Sequence, residues 1–182
     1  MKSIIFFLII NFPLIFNLYA QENTGTSKNV EVIKDFKNLY RYQNYYIGGQ
    51  PTLEALQWLK SQGVNKIINL RSENENIEYS EYAYNEKINA QRLGFKYYSI
   101  PVDGNKDYTP ENLDVFISLI NKNEIILIHC LTAGRATNFF MAYLIKNKGY
   151  TINEAVEIGR NLRFSLPLEM LLDTKVSMEI IE

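Results

Sequence analysis

The sequence predicts one α/β domain: three layers, α/β/α, around a mostly parallel sheet of four or five strands. Three observations predict it. From Leu39 onward, short apolar runs alternate with stretches whose apolar residues recur at helical spacing. The links between them are short, and right-handed crossovers between such strands cover a sheet on both faces. Finally, the run Glu124 to His129 ("EIILIH") is almost wholly apolar, as a central strand buried on both faces requires. No internal repeat and no shift in composition marks a second domain.

Residues 1–20 stand outside this fold. Lys2 gives a short positive start, Ile4 to Leu18 are nearly all apolar, and Ala20 precedes polar Gln21-Glu22-Asn23. That order reads as a secretory signal peptide cut after Ala20; an uncleaved membrane anchor is the alternative, and Asn11, Pro13 and Asn17, which break the short run, argue against it. The expected product is exported, periplasmic or secreted, with no stable membrane insertion after cleavage. It keeps 162 of the 182 residues, and loss of Lys2 takes the net charge from −1 to −2. So neutral a chain, with no basic stripe, carries no general attraction for nucleic acid. Its 13 tyrosines follow no repeat and are expected as half-buried packing residues.

Residues 21–38 are polar and without periodicity, and read as a flexible lead-in to a domain over 39–182. Tyr45-Tyr46-Ile47 is a strand before a Gly48-Gly49-Gln50-Pro51 turn. Thr52 caps a helix carrying Leu53, Leu56, Trp58 and Leu59, which Gly63 stops. Val64 to Leu70 is a strand and a polar loop starts at Arg71. A helix over about Tyr79 to Leu93 then ends at Gly94. Phe95 to Ile100 is a strand closed by Pro101. Thr109-Pro110-Glu111 opens a helix to about Lys122, with the cap, the proline and the acid each where a helix start favours it. After the "EIILIH" strand, a helix runs from about Arg135 to Lys148 and closes at Gly149. Thr151 caps another, and the tail after Pro167 is expected to be helical.

The chemistry concentrates in "HCLTAGRAT", His129 to Thr137, which holds the only histidine and the only cysteine side by side. A lone cysteine in an exported chain is a buried filler, an intermolecular bridge or a free reactive thiol. Its setting favours the last. In open α/β sheets ligands bind beyond the carboxyl ends of the strands, and Cys130 stands there, before a helix. Helix N-termini present unpaired N–H groups and partial positive charge, which favour an anion and a thiolate. Leu131, Thr132, Ala133 and Gly134 form a loop whose small members let amides turn inward. Arg135 can close over it with a bidentate fork. Such a set stabilises a tetrahedral oxyanion under attack by sulfur. A leaving oxygen needs an acid, and the loop after another strand offers Asp103, the first choice, or Asp107. Arg71, also at a strand end, is a second candidate for the anion, or a salt-bridge residue. His129 supports the loop through hydrogen bonds.

These residues resemble a family. His-Cys, four residues, then Arg after an apolar strand, with "IPVD" upstream, is similar to the cysteine-dependent protein tyrosine and dual-specificity phosphatases. The resemblance is closest to bacterial phosphatase-like domains related to beta-lactamase-hydrolase-like proteins. "GGQP" (Gly48 to Pro51), "INLR" (Ile68 to Arg71), "IPV" (Ile100 to Val102) and "HC…R" (His129 to Arg135) come in the order of those domains. It spans about Tyr40 to Leu172. It implies a protein tyrosine phosphatase-like fold, Cys130 as nucleophile, Arg135 as phosphate clamp and Asp103 as general acid. The reaction would pass through a phosphocysteine, with no metal and no cofactor.

Two departures bear on activity. Phosphatases of this kind keep five residues between Cys and Arg, where this chain has four. The shorter-looped relatives carry glycine third after the cysteine, where this chain has Ala133. The position after the arginine, Ser or Thr in many phosphatases, is Ala136, with Thr132 and Thr137 as out-of-register substitutes. Three readings stay open: hydrolysis of a phosphorylated protein or small phosphomonoester, rhodanese-like sulfur transfer from a persulfide donor, and a module that binds an anion without turnover.

Overall fold

The computed structural model describes residues 29–81, 85–164 and 168–175. The expected signal peptide and the first part of the lead-in lie outside them. A six-stranded sheet in the order β1-β2-β3-β6-β4-β5 forms the middle layer. It comprises β1 (Glu31–Val32), β2 (Leu39–Tyr42), β3 (Tyr45–Gly48), β4 (Lys66–Asn69), β5 (Lys96–Ser99) and β6 (Ile126–His129). The four strands β3, β6, β4 and β5 pair in parallel, and β1 and β2 add an antiparallel edge. The mixed α/β architecture is the expected one. The count exceeds the expected four or five because the chain enters through a hairpin. Tyr42 pairs with Tyr45, so only Gln43 and Asn44 form the turn, and Gln43 takes the left-handed conformation (φ 53°) that such tight turns need.

The lead-in is also corrected in its second half. Glu31 and Val32 pair with Arg41 and Tyr40, and Ile33 is 8% exposed and packs in the core. Its short apolar stretch, Val30 to Ile33, is diluted by polar neighbours and was masked by them in the sequence.

β6 lies between β3 and β4 and is buried on both faces, as its composition requires. Alternation then sorts the core. Tyr46, Ile67 and Leu127 face α1 (Leu53–Ser61) and α3 (Glu86–Arg92), where Leu56, Leu59 and Ala90 cover them. Tyr45, Ile47, Ile68, Ile126 and Ile128 face α4 (Pro110–Leu119), α5 (Gly134–Lys148) and α6 (Ile152–Asn161), meeting Phe116, Phe139 and Phe140. Tyr42 and Tyr46 are fully buried rather than half-buried, and the Tyr45 and Tyr143 hydroxyls lie 3.0 Å apart in the core. A last short helix, α7 (Glu169–Leu172), packs against α4 and α5.

Most helix starts are where the sequence places them: Thr52, Thr109 and Thr151 each accept a backbone N–H in the first turn. The exception is the segment after β4. Where a loop and then one helix were expected, there are two helices, α2 (Glu73–Glu81) and α3. Ser72 and Glu75 form a reciprocal cap: Glu75 N–H donates to Ser72 Oγ at 3.2 Å, and Ser72 N–H donates to Glu75 Oε2 at 2.8 Å. Ser-Glu-Asn-Glu is the capping-box pattern, and its polarity concealed it. Asn85 caps α3 through Ile88 N–H.

If residues 29–36 belong to the fold, Ile33→Ala should lower the unfolding free energy by about 2 kcal/mol or more. Lys34→Ala, exposed beside it, should stay within about 0.5 kcal/mol of wild type. Urea unfolding followed by tyrosine fluorescence measures both.

Candidate active site

The parallel strands all end at one edge, which brings together Gly49-Gln50, Leu70-Arg71-Ser72, Ile100 to Asp103 and Cys130. Cys130 follows β6 directly. Its N–H donates to Gly48 O (3.2 Å), and its sulfur-bearing side chain is buried, with the residue 1% exposed. The loop Leu131 to Ala133 leads into α5. Among the described residues, the amides from Leu131 to Gly134 make no close hydrogen bond to a protein acceptor beyond the bridge that pairs this loop with Gly49. Buried or half-buried peptide N–H groups need acceptors, so this turn is prepared for an anion or water.

The "GGQP" turn braces that loop from one side. Gln50 N–H donates to Leu131 O (3.1 Å), and Gly49 bridges to Thr132. A Cβ on Gly49 would stand 3.1 Å from Leu131 O, so the glycine permits the close approach. At the far end of the loop, Ala133 has φ 77° and ψ −15°, the left-handed region. That is the place where the short-looped relatives have glycine, and alanine there carries a steric penalty of about 1–2 kcal/mol. The loop therefore keeps the glycine backbone geometry without the glycine.

Arg135, in the first turn of α5, closes over the sulfur. One terminal nitrogen donates to Val102 O at 2.6 Å, and the other donates to both Glu75 oxygens at 2.7 and 2.8 Å. These bonds leave part of the five-donor fork for a further partner. Burial alone would lower the guanidinium's pKa. The Glu75 bonds and the charge of the Cys130 sulfur outweigh it and hold it above its ordinary value. Burial would likewise raise the Glu75 carboxyl, but bonds from Arg135 and the Ser72 amide bring it below the usual range. Glu75 was not singled out from the sequence; the Ser72–Glu75 capping box that positions it is the signal that could have found it.

Arg71, offered by the sequence as a second anion contact or a salt-bridge residue, is 1% exposed; its guanidinium donates to the Glu75 carbonyl, and its own N–H donates to Asn69 Oδ1 (2.8 Å). It therefore acts on the loop at one remove, through the residue that holds Arg135. Tyr108, also missed, is buried within electrostatic reach of the Cys130 sulfur. First burial and then the Cys130 charge push its phenol up to about 12.

Asp103 stands beside Val102, whose carbonyl Arg135 grips, but its carboxylate turns outward, 59% exposed, to Lys106 Nζ at 2.8 Å. The Lys106 ammonium holds that carboxyl below its ordinary pKa. Asp107, half-buried, accepts the Asp103 N–H (2.7 Å). Thr132 is exposed, and Thr137 is buried in α5, its hydroxyl without a protein hydrogen-bond partner. His129 is fully buried, with Nε2 2.8 Å from Glu86 Oε1. Beside the loop opens a groove of about 590 Å³, lined by Lys37, Gly49, Pro51, Leu53, Leu131 and Thr132 among others.

The profile of the family described as "DSP-PTPase phosphatase fused to NAD+ Kinase" matches residues 17–162. The chain belongs to this phosphatase family. Solved structures agree on the fold. A candidate phosphatase (DUF442) from Shewanella putrefaciens CN-32 superposes with a TM-score of 0.58 at 21% identity, covering 77% of this chain and 91% of that one. Pseudomonas aeruginosa TpbA, a cysteine-to-serine variant in complex with pTyr, gives 0.53 at 15% identity, over 72% of this chain and 76% of that one. Tk-PTP in its active form gives 0.51 at 19% identity, over 65% and 79%. No curated protein sequence matches the chain significantly. The protein tyrosine phosphatase-like fold and the cysteine-dependent phosphatase superfamily are thus those that the four motifs implied.

Two predictions follow from the geometry of this family member. Ala133→Gly removes the left-handed penalty but adds backbone freedom to the unfolded chain, for a net gain in stability of roughly 0.5–1 kcal/mol. Ala133→Val should lose stability, and thermal unfolding ranks the three proteins. Glu75 has a folded pKa below its unfolded value, so its contribution is complete above about pH 4.5 and disappears as pH falls through the folded value. Glu75→Gln should therefore cost about 1.5–3 kcal/mol at pH 7 and flatten the acid limb of the stability profile. An unchanged acid limb would show that this ion pair adds nothing.

Proposed function

We propose that the chain is an exported cysteine-dependent phosphatase that hydrolyses phosphomonoesters through a phosphocysteine. The observation that carries this reading is the loop after Cys130: among the described residues its amides make no close protein hydrogen bond beyond the bridge to Gly49, and the Arg135 guanidinium closes it. A phosphoryl dianion supplies the acceptors that those donors lack. The family to which the chain belongs supports the same chemistry.

In the first step the Cys130 thiolate attacks phosphorus. The phosphorus–oxygen bond to the leaving group breaks, and the departing oxygen takes a proton from Asp103. The loop amides and Arg135 hold the three peripheral oxygens as charge spreads over them. In the second step water attacks the phosphocysteine, ionised Asp103 accepts its proton, and the thiolate leaves with inorganic phosphate as the other product. Asp103 must first leave Lys106, since that pair keeps it ionised. An incoming dianion beside it favours the protonated form and loosens the pair. The organic part of the substrate lies in the groove past Leu131, and the pTyr bound to the TpbA variant supports an aryl ester as first probe. Export rests on the leader at residues 1–20.

The test is hydrolysis of an aryl phosphate by the mature chain. Cys130→Ser should abolish it, Arg135→Lys should reduce kcat/KM about 10²- to 10³-fold, and Asp103→Asn should slow it by about 10²-fold or more. Turnover undiminished in Cys130→Ser would end this reading. Cyanide-releasable sulfur on Cys130, without phosphate release, would replace it with sulfur transfer.

A further inference from the structure

The turn that carries Lys37 stands across a single glycine from the Cys130 loop. Gly49 donates its N–H to Asn38 O at 2.9 Å and is bridged to Thr132. A Cβ on Gly49 would lie 3.5 Å from Asn38 Cβ and 3.1 Å from Leu131 O, so both segments press on this one residue. Asn38 takes the left-handed conformation (φ 54°), and Arg163, just after α6, donates to its Oδ1 at 3.2 Å. On the other side, Phe36 donates its N–H to Ile33 O at 3.2 Å and sets its ring 5.3 Å from that of Trp58. The backbone around Lys37 is therefore held. Its side chain is exposed and makes no hydrogen bond or ion pair among the described residues.

Lys37 lines the groove of about 590 Å³ beside the loop, and among the described residues it is the only charged one that does so. The other walls are neutral, with Pro51, Leu53 and Leu131 as apolar members. Leu53 is 41% exposed, an apolar side chain left open at the start of α1. Asp35 and Glu54, the acids nearest in sequence, are exposed and take no part in the walls. The chain as a whole carries a net charge of −1, so an unpaired ammonium in a groove without carboxylates is a local inversion that attracts an anion. Apolar walls beside a cation strengthen that attraction, because they replace water with a poorer dielectric. A groove of this size also holds far more than one aromatic ring, since pockets in this range take ligands of drug size.

We propose that Lys37 is a specificity-determining residue that selects phosphomonoesters whose organic part carries a second anionic group. The inference rests on the phosphatase reading for the first anion, the phosphoryl group held by the Cys130 loop and Arg135. The organic body runs along the groove over Leu131, Pro51 and Leu53, and its second anion meets the Lys37 ammonium. Two sources supply that chemistry: an acidic residue beside a phosphotyrosine in a peptide, and a second phosphate on a small aryl ester. In this account Phe36 to Asn38, the end of the lead-in, belong to the substrate site, although the sequence placed them in a flexible segment.

The test is calorimetric titration of four probes into the mature Cys130→Ser chain at low salt. They are phenyl phosphate, hydroquinone bisphosphate, a phosphotyrosine peptide with neutral neighbours, and the same peptide with glutamate on both sides of the phosphotyrosine. The glutamate peptide should bind about three- to five-fold tighter than the neutral one, and the preference should shrink at high salt. Lys37→Met should bring the ratio close to one, Lys37→Glu should invert it, and Lys37→Arg should keep it. A Lys37-dependent gain for the acidic peptide, for the bisphosphate over phenyl phosphate, or for both supports the proposal and names the source of the anion. No gain for either, or a gain that persists in Lys37→Glu, overturns it. So does binding of all four probes that rises equally when residues 21–28 are removed, because the groove then belongs to the chain's own lead-in. Binding to Cys130→Ser needs no turnover, so these failures are distinct from failure of the phosphatase reading, which hydrolysis by the wild type tests.

Discussion

Peptide N–H groups that leave water must find acceptors, and among the described residues the amides of the turn between β6 and α5 make no close protein hydrogen bond beyond the bridge to Gly49. Keeping such a turn open is costly, and the surrounding structure is arranged to hold it. β6 is pinned between β3 and β4, the "GGQP" turn bonds to Leu131, and Arg135 is fixed by Val102 and Glu75. Each brace comes from a different strand end. The parallel sheet serves the site chiefly by delivering these segments to one edge in register.

Charge is distributed in two layers around the sulfur. Arg135 lies against it, and both Glu75 oxygens accept from the far side of that guanidinium's fork. Arg71, fully buried, steadies Glu75 in turn through its carbonyl. An arginine already gripped on two sides loses little freedom when an oxyanion arrives, which is the condition for electrostatic stabilisation without reorganisation. The acid side is less prepared. Asp103 lies at the same edge yet is paired with Lys106, so the proposed proton transfer requires its loop, rather than the Cys130 loop, to rearrange first.

The sequence made the parallel strands, the capping threonines and the ligand edge legible, because apolar runs, caps and strand ends are local signals. It also brought out Cys130, Arg135 and the four motifs around them. The β1–β2 edge was not legible: β1 is two residues long, and Gln43-Asn44 lacks the glycine that usually signals a tight hairpin. Glu75 and Glu86 were missed for a related reason. Both stand in polar, helix-starting stretches where an acid has an ordinary explanation in the helix dipole, and only tertiary packing turns them toward Arg135 and His129. Ala133 was noted as a departure from glycine, but its left-handed backbone required coordinates.

The most direct test of the central claim is to trap the intermediate. The mature chain would be mixed with an excess of aryl phosphate, quenched in acid within one turnover, digested, and the peptide containing Cys130 weighed by mass spectrometry. A phosphoryl group on Cys130 that appears and decays with turnover is the predicted result. Phosphate release with Cys130 unmodified throughout, or with the phosphoryl group on another residue, would contradict the account.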